Sequence, residues 1–75
     1  MSASHSVVLV YTVAHAIRIE RLLAARGAAC RLIPVPRHLS SDCGVCVRID
    51  RADTPLARRV IAEAGLDIEG IAELR

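Results

Sequence analysis

A small α+β domain of the ferredoxin-like type is the fold this sequence predicts. Its element order is β-α-β-β-α-β, with a four-stranded antiparallel sheet and two helices on one face. Three observations predict it. Apolar, strand-like runs stand at Ser6 to Tyr11, Ala29 to Val35, Gly44 to Asp50 and Asp67 to Leu74. One helical pattern follows the first run and another follows the third. With right-handed crossovers that order closes into one sheet with both helices on the same side. At 75 residues the chain makes a single domain, residues 1–75, with the polar start over residues 1–5 expected to fray.

Each element has a local reason. Val7 to Val10 are four apolar residues in succession, the mark of a central strand buried on both faces. Thr12 is an N-cap, and a helix is expected from Val13 to Arg26. Val13, Ala16, Ile19, Leu22 and Leu23 recur at helical spacing and predict its buried stripe, with Gly27 just past its end. In the third strand Val45, Val47 and Ile49 alternate with Cys46 and Arg48, a half-buried pattern. Asp53 or Thr54 caps the second helix, with Pro55 in its first turn. Leu56, Val60, Ile61 and Ala64 give its apolar face, and Gly65 closes it. Gly70 weakens the last strand.

Composition narrows the function. All ten basic residues are arginine, against eight acids, and the net charge of +2 is too small to argue for nucleic acid. Tyr11 is the single aromatic among Phe, Trp and Tyr, so base-stacking platforms are absent and the core is aliphatic. No run reaches the roughly 18 apolar residues that span a bilayer. The Val7 to Val10 run is short for a signal-peptide core and has no basic residue before it. The expectation is a cytoplasmic protein whose three cysteines stay as thiols.

The segment from Leu32 to Gly44 carries the chemistry. Pro34 and Pro36 fix φ and remove two backbone donors, so the strand cannot run on as a normal ladder. Ser40, Ser41 and Asp42 are turn formers, and Gly44 permits a positive φ. The predicted result is a stiff loop that presents Cys43. Strands 1 and 2 run the same way, so this loop and the start of the first helix share one edge of the sheet. Thr12 and His15 are expected beside Pro36 to Gly44. There a helix terminus, Arg37, and His15 or His38 could favour a thiolate on Cys43. The competing reading makes Cys43 a small buried residue at the start of a strand.

The order His15-Ala16, Glu20, Pro34-Val35-Pro36-Arg37, Ser40-Ser41 and Cys43-Gly44 resembles the small bacterial selenium/sulfur carrier protein-like family. Its pattern is a strand, a helix that opens with His-Ala and carries a Glu, a Pro-x-Pro-Arg segment, then Ser-Ser-x-Cys-Gly and another strand. The likeness covers roughly residues 7 to 71. It implies a functional Cys43 that accepts sulfur or selenium as a persulfide or selenosulfide. Donor and acceptor proteins are then the expected partners. Arg37, Gly44, Ser40, Ser41 and His15 are the expected binding residues around it.

Other readings stand beside this one. Cys43 and Cys46 form Cys-Gly-Val-Cys, which invites a resolving second thiol. Thioredoxin-type motifs open a helix, however, and this pair enters a strand, which puts the two side chains on opposite faces. Cys30 reads as a core residue. His38, Cys43, Cys46 and His15 make a weak zinc set with one paired motif, so neither metal nor cofactor is expected. Glu20 reads as a salt-bridge partner of Arg18, Arg21 or Arg37. No set of base, nucleophile and oxyanion donors is complete, which argues against an enzyme acting alone. The alternative class is an anion- or small-molecule-binding regulatory module built on Arg37, Ser40 and Ser41. A bare sheet face exposing Cys46, or Val8 and Val10, is expected to pair in a homodimer or hetero-complex.

Overall fold

A computed structural model of the protein describes residues 5–39 and 43–74. The frayed start expected over residues 1–5 lies outside the described residues except for His5, which already belongs to a strand. The elements are β1 (His5–Leu9), α1 (Val13–Ala25), β2 (Cys30–Pro34), β3 (Val45–Asp50), a 3-10 turn (Arg51–Asp53), α2 (Thr54–Ala64) and β4 (Gly70–Leu74). The four strands form one antiparallel sheet in the order β2-β3-β1-β4, which with two helices is the ferredoxin-like arrangement. No described helix is long and apolar enough to cross a membrane.

Local chemistry explains the boundaries. Thr12 is extended and its hydroxyl accepts a hydrogen bond from the His15 backbone N–H at 3.1 Å, satisfying one orphan donor of α1. Arg26 is the C-cap of α1. Pro34 ends β2, which lies at the sheet edge, where a missing N–H costs little. The Val35 N–H still donates to the Gly44 carbonyl, closing the ladder at the loop mouth. The cap of α2 is Asp53, which makes no side-chain cap bond. The Thr54 hydroxyl donates to the buried Ser6 hydroxyl at 3.2 Å and ties α2 to β1.

The register assigns each residue to a face. Val8 pairs with Val47 and Ile71, and Leu32 pairs with Val47. These face the helices and build the main core with Val10, Ala16, Ile19, Leu23, Ile49, Ala57, Val60 and Ile61. His5, Val7, Leu9, Cys46, Arg48 and Ala72 alternate with them and point to the other face.

Two expectations fail here. Val13, expected in the buried stripe, is 46% exposed, because as the first residue of α1 it stands beyond the sheet edge. The second face is not bare. Val8 and Val10 face the helices, and Val7 and Cys46 on the other side are fully buried. Pro36, His38 and Leu39 share a cleft with Glu73 and Leu74 of β4. Leu74 pairs with His5, at the far edge and far end of the sheet from where β2 finishes. Pro36 to Leu39 of the β2–β3 loop therefore reach toward the end of β4.

Candidate functional site

The described residues of the β2–β3 loop make two sets of contacts. Its first half, Pro36 to Leu39, turns back through a Leu39 N–H to Pro36 carbonyl bond of 3.0 Å and lies against the end of β4. Arg37 and His38 are exposed on this half and make no ion pair among the described residues. Ser40, Ser41 and Asp42 lie outside the described residues. Its last residues, Cys43 and Gly44, return to the helix side.

Cys43 is half-buried and packs against the main core at the end of the sheet where α1 begins. The β1–β3 pairing ends at Leu9 and Cys46, so the start of β3 and the end of β1, which leads into α1, lie at the same end of the sheet. His15 is half-buried on the first turn of α1, and its Nδ1 is buried with no hydrogen-bond partner. A buried imidazole nitrogen left unpaired costs about 1–3 kcal/mol. Glu20 makes no ion pair among the described residues, in contrast to the pairing expected from sequence.

Gly44 sets the approach to Cys43. Its φ is +79°, and a Cβ placed there would meet nothing within 4 Å. The glycine is therefore demanded by backbone conformation and not by space. Gly44→Ala is expected to cost about 1–2 kcal/mol, the penalty of a left-handed conformation for an L side chain. Thermal denaturation should read this as a fall of roughly 4–16 °C in Tm. An unchanged Tm would show that the loop mouth relaxes out of this conformation.

The other two thiols are held back. Cys46 is fully buried on the face away from the helices, and desolvation, with a smaller contribution from the charge of Cys43, pushes its thiol up. Cys30 is half-buried and packs against the core, as its strand position suggests. Its Sγ donates to the Glu20 carbonyl at 3.4 Å. Desolvation, then the charges of Glu20 and Asp53, pushes its thiol up as well. A raised thiol pKa means less thiolate at neutral pH, so both become nucleophilic only as pH climbs past the ordinary thiol range. Alkylation with a thiol probe from about pH 5 to 9, followed by peptide mapping, is expected to label Cys43 first. Cys30 or Cys46 reacting as fast at every pH would remove this distinction.

Among the described residues, no three His, Cys, Asp or Glu side chains gather closely enough to hold a metal ion. No curated protein and no solved structure matches the chain. A family model does, over residues 5–73, and that family is described as "Putative Se/S carrier protein-like". The match takes in both helices, the Pro-Val-Pro-Arg segment, Cys43-Gly44 and nearly all of β4, so the chain belongs to the Se/S carrier protein-like family.

Proposed function

We propose that the protein carries sulfur or selenium on Cys43 and passes it between proteins. The observation that supports this most directly is the place of Cys43, half-buried against the core at the end of the sheet where α1 begins. Cys46 is fully buried, and Cys30, half-buried like Cys43, has its thiol pushed up by desolvation and then by the charges of Glu20 and Asp53. The family description points the same way.

The chemistry is an exchange without net oxidation. The Cys43 thiolate attacks the outer sulfur of a donor persulfide. A new S–S bond forms on Cys43, the donor S–S bond breaks, and the donor sulfur leaves with the electron pair as a thiolate. The proton lost by Cys43 ends on that leaving thiolate, and His15, on the first turn of α1 at the same end of the sheet, is the proposed carrier in between. Delivery repeats the step, with an acceptor nucleophile attacking the outer atom. A donor selenosulfide exchanges in the same way.

Protein partners need a surface beside Cys43. Tyr11, Val13 and Ile17 are 50%, 46% and 36% exposed around the start of α1, on the same end of the sheet. They offer apolar ground for a donor or acceptor protein to cover. The test is intact mass after incubation with a cysteine desulfurase and cysteine. Addition of one sulfur atom, lost on reduction and mapped to Cys43, is the expected result. No addition would leave the protein a non-covalent binding module.

A further inference from the structure

A second concavity lies at the other end of the sheet. It has a volume of about 150 Å³, and its lining includes His5, Cys30, Arg31, Arg48 and Asp50. At about 3.4 Å per residue along β3, Arg48 stands roughly 17 Å from Cys43. The two places share no lining residue.

Arg31 of β2 and Arg48 of β3 stand directly opposite each other in the antiparallel ladder. Like charges in that relation are destabilising. Proteins commonly relieve such a pair with a carboxylate, and here neither arginine makes an ion pair among the described residues. The nearest acid in the lining, Asp50, has His5 as its partner at 3.7 Å. Arg48 is half-buried, and Arg31 is exposed on the edge strand. The fold therefore places two arginines opposite each other in the ladder, both lining one hollow and neither in an ion pair among the described residues.

We propose that Arg31 and Arg48 bind a small inorganic oxyanion of the phosphate or sulfate type. A guanidinium donates through a planar fork that matches two oxygens of such an anion. Two forks can grip it from both sides. At about 30 Å³ per water, the hollow holds the volume of about five waters, enough for one such anion with part of its hydration and too small for a nucleotide. His5 at the rim adds a third donor. The Asp50 carboxylate opposes an anion and keeps binding weak. The site is independent of Cys43 and of the carrier reading.

The test is a titration with inorganic phosphate, and separately with sulfate, at constant ionic strength held by chloride, followed by backbone amide NMR. Saturable shifts confined to residues 30–31 and 48–50 are expected. Arg31→Gln and Arg48→Gln should each weaken the apparent affinity at least tenfold, and Arg58→Gln, on exposed α2 surface, should leave it unchanged. Without added anion, Arg31→Gln should unfold at the same temperature as the wild type or higher, because the repulsion is gone. Arg31 is exposed on an edge strand, so this variant carries the test if Arg48→Gln folds poorly. Shifts that fail to saturate, that chloride reproduces, or that persist in Arg31→Gln would overturn the site.

Discussion

Cys43→Ser is expected to abolish sulfur loading while the protein stays folded. A serine hydroxyl is not ionised near neutral pH, so the nucleophile is lost outright, and the loss should be of orders of magnitude. The structural cost is small by comparison. Cys43 is half-buried at the margin of the core, so its replacement leaves the hydroxyl access to water. The controls are the other two cysteines. Cys30→Ser can keep a hydrogen bond to the Glu20 carbonyl, and it should load normally with little loss of stability. Cys46→Ser puts a hydroxyl into a fully buried apolar position and should destabilise by about 1–3 kcal/mol, yet still load. Intact mass and thermal denaturation on the three variants read both effects. If Cys43→Ser gains sulfur as the wild type does, Cys43 is not the carrier.

The order of elements was legible because each one is locally signalled. Thr12, Pro55, Gly27 and Gly65 punctuate the helices, and the apolar periods between them are unambiguous. The 3-10 turn at Arg51–Asp53 was not, since a single tight turn has no period to detect. The path of the β2–β3 loop was legible only in part. Pro34 and Pro36 announce stiffness, but nothing in their chemistry says which way a stiff loop leans. A signal existed elsewhere. Val7 to Val10 form an unbroken apolar run, so Val7 needed a cover on the face away from the helices, and it is fully buried there. Arg37, read as a neighbour of Cys43, belongs to the half of the loop that lies toward β4. The meeting of Arg31 and Arg48 could not be read from the chain at all. It depends on the β2–β3 register, and a shift of one residue would send the two side chains to opposite faces.

Ile19→Ala is expected to remove a large part of the stability of the fold. Ile19 is fully buried at the centre of α1, where the helix packs on Val8, Val47 and α2 in a single aliphatic core. A substitution of this kind costs about 2–5 kcal/mol, from lost transfer energy and from the cavity left behind. A chain of 75 residues has roughly 4–11 kcal/mol of total stability at typical values per residue. The higher end of the cost meets the lower end of that range, so a substantial unfolded fraction is expected at ambient temperature where wild type has none. Neither a ring nor a disulfide reinforces this core, and Val, Ile, Leu and Ala side chains supply nearly all of its contacts. Ile17→Ala is the comparison, two residues away on the same helix and 36% exposed, and it should cost well under half as much. Urea denaturation of both variants decides the matter. Equal midpoints for Ile19→Ala and Ile17→Ala would mean that the helix-side core does not carry the fold.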